Sequence, residues 1–128
     1  MKTLNSIKLD FATISMLENS IIKIDMSSGA VIDLDECVKI TNAIGDLTDK
    51  KKALILMISG NTTSFTSEAR GFSASEAGSI YTIADAMIVK NLAQKITVSF
   101  YLKINKPIRP SKAFNSESDA IKWLLSLA

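Results

Sequence analysis

The chain has 128 residues, 47% hydrophobic and 22% charged, a balance that supports one packed domain and excludes a disordered chain. It has no histidine and a single cysteine, Cys37, which excludes Ser-His and Cys-His catalysis, an internal disulfide and the commonest metal-ligand sets. The net charge of +2 is too small to indicate nucleic-acid binding, but it is unevenly spread: residues 86–128 carry seven basic and two acidic side chains, residues 1–85 eight and eleven.

Met1 to Asp10 lacks the apolar run and cleavage site of a signal peptide, and no stretch approaches the length of a membrane span. A reduced, cytoplasmic location is the expectation. Phe11–Leu17 and Ile21–Met26 alternate around Glu18-Asn19-Ser20, which predicts a β-hairpin. Asp33 or Asp35 then caps a helix to about Leu47, whose apolar stripe includes Leu34, Cys37, Val38, Ile40, Ile44 and Leu47. Ala53–Ile58 is apolar on both faces, as expected of a central strand covered on both sides. Gly60–Phe65 reads as a polar loop, and Thr66 or Ser67 starts a second helix with Ala69, Phe72 and Ala77 facing inward.

Residues 84–89 form the next strand. Residues 91–105 have strand propensity at Thr97–Tyr101, yet Leu92, Ile96, Phe100 and Lys103/Ile104 repeat at helical spacing. The reading is a helix stopped by Pro107, with Phe100 in the core. Lys112–Phe114 is a short last strand. Asn115 or Ser116 caps a terminal helix, Glu117–Leu127, with Ala120, Ile121, Trp123, Leu124 and Leu127 inward. The order predicts one α/β domain: an N-terminal hairpin, then alternating helices and strands, giving a mixed, mostly parallel sheet of about five strands with about four helices.

The segment Ser59–Ser67 leaves a central strand and enters a helix, the place where α/β sheets bind ligands and where helix amides favour anions. Thr62, Thr63, Ser64, Thr66, Ser67 and Arg70 are the candidate phosphorylation or anion site; the plainer reading is a hydroxyl-rich helix cap and a surface ion pair for Arg70. Lys103, Lys106, Arg109 and Lys112 form a candidate basic surface, suited to phosphates or an anionic membrane, or simply solvated. Met57, Phe65, Phe72, Ile80 and Tyr81 are the candidate lining of an apolar pocket. Asp33, Asp35 and Glu36 suit a helix first turn rather than a metal, Cys37 a buried inert thiol, and Trp123 a core contact.

The hairpin followed by strand–helix alternation is similar to the SpoIIAA-like, or STAS, fold of anti-sigma-factor antagonists. Phe100–Pro107, then Arg109-Pro110, Lys112, Phe114 and Trp123-Leu124, resemble a signature of small uncharacterised bacterial STAS-like proteins. Glu68-Ala69-Arg70 followed by Phe72 resembles the start of their second helix. In the antagonists, a serine or threonine after the third strand is phosphorylated, in an Asp-Ser pattern soon followed by Gly; this chain has no aspartate before its loop hydroxyls. The resemblance implies a non-catalytic regulatory module, without a cofactor, for a protein partner or a small anionic ligand. The alternative is a carrier of a lipid or other apolar ligand, which requires a cavity of at least ~300 Å³. A homodimer through the N-terminal strands is also compatible with the sequence.

Overall fold

The computed structural model describes residues 1–128. Its first strand, β1 (Thr3–Lys8), lies in a stretch that the apolar alternation does not mark. Only Ile7 of β1 is half-buried. The strand pairs antiparallel with β2 (Ala12–Leu17), with Ile7 opposite Ile14. The predicted hairpin follows: β2 pairs antiparallel with β3 (Ile22–Met26), and Ser20 turns the chain in the left-handed region at φ 67°. The hairpin is therefore not the sheet edge; β1 covers it.

A short strand β4 (Val31–Ile32) leads to helix α1 (Leu34–Thr48). Asp33 caps α1, and the Glu36 side chain reaches back to the Asp33 amide, so two otherwise unpaired amides are satisfied reciprocally. Strand β5 (Ala53–Ser59) follows. The expected polar loop after it contains a two-residue strand, β6 (Ser64–Phe65), paired parallel with β4. Thr66 caps α2 (Ser67–Ala74), so Ala77 falls beyond the helix in a 3₁₀ turn. Strand β7 (Thr82–Ile88), helix α3 (Leu92–Phe100), strand β8 (Ser111–Phe114) and helix α4 (Glu117–Ser126) complete the chain. Helix α3 runs into a π-helical turn, Tyr101–Asn105, in which the Lys106 amide donates to the Tyr101 carbonyl.

The main sheet has six strands in the order β1-β2-β3-β5-β7-β8, with the β3–β5, β5–β7 and β7–β8 pairs parallel. From β3 onward each strand is added on the same side of the last. Right-handed crossovers then put all three connecting helices on one face. The packing agrees. Ile55 lies in one core with Ile40 and Ile44 of α1 and Ala69 of α2, while Met57 and Met87 meet Val98 and Tyr101 of the α3 segment. Helix α4, which follows the last strand, covers the opposite face, where Ala120 and Leu124 pack on Leu54, Leu56, Ala84 and Ala86.

The apolar stripe that identifies α3 in the sequence does not face the sheet. Leu92 is 72% exposed, Ile96 61%, Phe100 47% and Ile104 63%. The side of α3 that packs inward carries Val98, Tyr101 and Leu102 instead. Leu124→Ala is expected to cost about 2–5 kcal/mol in urea unfolding. Ile96→Ala, at an equally periodic position, is expected to change stability by less than about 0.5 kcal/mol.

Candidate functional site

The three helices on one face do not fill the space beneath them. A cavity of about 170 Å³ lies between the sheet and α1, α2 and α3. Met57, Phe65, Phe72 and Met87 are among its apolar walls, and Arg70, Gln94, Thr97 and Tyr101 supply polar ones. The Gln94 side-chain amide donates to the Gly60 carbonyl at 3.0 Å, which ties the start of α3 to the end of β5. Gly60 itself passes so close to Ser28 that an added Cβ would lie 2.3 Å from the Ser28 amide nitrogen; only glycine fits there.

A buried ion pair lies on the cavity wall. Arg109 donates from Nε and Nη2 to the two carboxylate oxygens of Asp85 at 3.0 and 2.9 Å. Its Nη1 also donates to the Ser79 hydroxyl at 3.1 Å and to the Ser73 carbonyl. Ser111 donates its hydroxyl to Asp85, and Tyr101 donates to the Ser73 hydroxyl at 3.1 Å. The side chains of Arg109 and Asp85 are 7% and 2% exposed. Burial works against the Arg109 charge, and the adjacent Asp85 carboxylate more than offsets it, so the guanidinium stays protonated with its pKa above the ordinary arginine value. Burial pushes the Tyr101 phenol upward, with the nearby Arg109 charge opposing. Tyr101 is thus a neutral donor at physiological pH.

Arg70 is a different kind of cation. It makes no ion pair. Its Nη1 donates to the Phe65 carbonyl at 2.8 Å, and the guanidinium lies 5.4 Å from the centre of the Phe100 ring. Its Nε–H is buried and has no acceptor. Because Asp85 is held by Arg109 and Ser111, the uncompensated charge on the cavity wall is that of Arg70.

All the candidate loop hydroxyls but that of Ser64 are already engaged. Thr62 and Ser28 share a hydrogen bond of 2.8 Å, and Thr63 donates to the Ser27 carbonyl at 2.8 Å. Ser64 is exposed in β6, and Ser67 donates to Glu68 at 3.2 Å. Thr66 accepts from the Ala69 amide and donates to Asp33 Oδ1 at 2.7 Å. That hydrogen bond, then the one from the Leu34 amide, holds the Asp33 carboxyl below its ordinary pKa. A carboxylate therefore already stands at the capping residue of α2, where an incoming phosphate would meet it.

Three expectations change. Ile80 and Tyr81 do not line the cavity: Ile80 is 52% exposed, and the Tyr81 ring lies against Gly45 of α1, where an added Cβ would be 2.6 Å from the ring. Met57, Phe65 and Phe72 do line it. Arg109 does not belong to the basic surface, because Asp85 buries and neutralises it; Lys103, Lys106 and Lys112 are exposed. Arg70 has no carboxylate partner and so is no surface ion pair. Sequence reasoning also passed over Asp85, although a lone acid inside the apolar strand Ala84–Val89 signals a buried partner. Gln94 and Tyr101 left no such signal. Cys37 meets the Ala69 carbonyl at 3.8 Å, and burial, then Glu36 and Asp33, push its thiol up to about 11, so it carries no thiolate at neutral pH.

Arg109→Gln is expected to destabilise the fold by about 3–5 kcal/mol, since it strands the Asp85 carboxylate in the interior; chemical unfolding checks it. For Asp33, the folded pKa is the lower one, so its contribution is complete above the unfolded carboxylate value and is lost as pH falls through the folded value. The stability gap between wild type and Asp33→Asn should therefore be constant from neutral pH to about pH 4 and close below it, as measured by thermal unfolding across pH.

No curated protein matches the chain. A crystal structure at 2.20 Å of a protein with unknown function from Arthrobacter sp. FB24 is 19% identical, covering 88% of this chain and 97% of its own. Its TM-score is 0.33, too low to carry an argument about fold or function. A family model described as "Domain of unknown function (DUF7793)" matches residues 15–128, from within β2 to the last residue. The chain belongs to that family.

Proposed function

We propose that this domain is a non-catalytic, STAS-like binding module whose ligand is a small amphipathic anion held in the cavity under α2 and α3. The observation that carries this reading is Arg70: a cation without a carboxylate partner, with a buried Nε–H that has no acceptor, on the wall of a largely apolar cavity. A buried donor left unpaired costs about 1–3 kcal/mol. A carboxylate or similar anion reaching Arg70 would recover that cost while its apolar part meets Met57, Phe65 and Phe72.

The volume supports a small ligand. About 170 Å³ is slightly more than the ~150 Å³ cavity that takes up benzene, and below the ~300 Å³ where ordinary ligand pockets begin. That small volume favours this reading over a lipid carrier. The engaged hydroxyls of Thr62 and Thr63 and the Asp33 carboxylate beside the start of α2 favour it over a phosphorylation switch at those two threonines; Ser64 is the loop hydroxyl that stays exposed without a hydrogen bond. The high pKa of Cys37 supports a role without nucleophilic chemistry.

Titration calorimetry with benzoate and its neutral isostere benzamide tests the proposal. Benzoate is expected to bind the wild-type protein, and benzamide at least about tenfold more weakly, because a hydrogen bond to a charged group is worth roughly 1.5–3 kcal/mol. Arg70→Gln should lose the preference for the anion. Equal binding of both compounds, or an unchanged preference in Arg70→Gln, would reject the anion site.

A further inference from the structure

The outward face of α3 carries two parallel ridges. Leu92, Ile96, Phe100 and Ile104 succeed one another at every fourth position and are 47–72% exposed. Beside them, also four apart, run Lys95, Ser99 and Lys103. Helical residues four apart lie in one row, and the apolar row is about 18 Å long at the α-helical rise. The wider π-helical turn at Tyr101–Asn105 counters the drift of that row around the helix and keeps Ile104 near its line. Scattered exposed apolar side chains need no explanation, but four in register on one helix do.

The charge that α3 and its flanking segments carry has one sign. No carboxylate occurs between Asp85 and Glu117, and Asp85 is spent on Arg109. Lys90, Lys95, Lys103 and Lys106 are exposed and unpaired. Across one flank, Asp119 shares a groove with Lys95 and Lys112 without an ion pair to either.

We propose that α3 is a membrane-surface docking element, which lays Leu92, Ile96, Phe100 and Ile104 into the interface of a bilayer containing anionic lipid. The apolar row enters the headgroup boundary, while the lysines reach up to anionic headgroups with their methylene stems on the apolar side. The charge complementarity selects this occupant. A second copy docked through the same row brings its own lysines against these, and four side chains cover well under the roughly 800 Å² per partner of a standard protein interface. A partner helix seated here would need a concave surface, whereas these side chains project from a ridge, and a partner's groove receiving the row would have to match its register and its flanking lysines. A bilayer interface needs neither a seat nor a register.

Cosedimentation with vesicles of mixed phosphatidylcholine and phosphatidylglycerol, against phosphatidylcholine alone, tests the proposal. The wild-type protein is expected to bind the anionic vesicles, to bind neutral ones far less, and to weaken as salt screens the lysines. Leu92→Ser, Ile96→Ser and Ile104→Ser combined should abolish binding with an unchanged melting temperature. Lys95→Gln and Lys103→Gln should each weaken it by about fivefold. An Ile96→Trp probe should show a blue-shifted emission on adding anionic vesicles, which reads insertion without relying on the triple variant. Failure to bind either vesicle, or unchanged binding by a folded triple variant, overturns the proposal. So does a concentration-dependent dimer in sedimentation velocity that the serine substitutions dissolve, which would assign the row to a second copy. Capture of an acidic protein helix with no vesicle binding overturns it in favour of a protein partner.

Discussion

The ion pair between Asp85 and Arg109 is the constraint from which the arrangement around the cavity follows. An acid in the middle of a buried strand demands a cation of its own, since an unpaired carboxylate in that position would cost several kcal/mol. Arg109 meets the demand from the segment between the π-helical turn and β8. The same guanidinium reaches the Ser73 carbonyl near the end of α2 and the Ser79 hydroxyl. One residue thereby fixes the return of the chain after α3 against both β7 and α2. Tyr101, bonded to Ser73, adds a second link between α3 and α2. A point attachment of this kind is compatible with open space nearby, where a continuous apolar contact would have closed it.

That space is a product of topology. Strands added in one direction send three successive crossover helices to a single face. Helices α1 and α2 pack on that face with a shared apolar core, whereas the α3 segment touches it through a smaller set around Met87, Val98 and Tyr101. The cavity lies where these two packing units meet. Among its lining residues, Arg70 alone has a fully buried side-chain polar atom, the Nε–H, without a hydrogen-bond partner. The opposite face is covered by α4, whose Ala120 and Leu124 pack on the sheet with Ile121, Trp123 and Phe114 against the same cluster.

Helix α3 shows how periodicity misleads when a helix has two apolar sides. The repeat at Leu92, Ile96, Phe100 and Ile104 identifies a helix correctly, because that spacing suits no strand. It does not say which side meets the sheet. Val98, Tyr101 and Leu102 form a second, shorter apolar side, and Tyr101 also satisfies a hydrogen bond to Ser73. With Asn91 capping its first turn and Gln94 anchoring it to Gly60, the helix is held in the orientation that leaves the longer row outward.

The sequence by itself determined the elements whose signals are local. The β2–β3 hairpin, the doubly buried strand β5 and the starts of α1, α2 and α4 rest on alternation, capping chemistry or helical spacing, while the structure chose Asp33 over Asp35, Thr66 over Ser67 and Ser116 over Asn115 as the caps. The mixed, mostly parallel α/β sheet follows from their order. Strand β1 was not legible, because an edge strand with almost no buried side chain leaves no apolar pattern and is created by the free edge of β2. Arg70 was marked as a candidate from its place after the loop, but its missing partner was visible only once every carboxylate had been located. Arg109 read as surface charge because its partner lies 24 residues away, across a strand pairing that no local pattern encodes. Local propensity is a property of neighbouring residues; which charge is buried, which helix face is covered and where a void remains are settled by contacts between residues far apart in the chain.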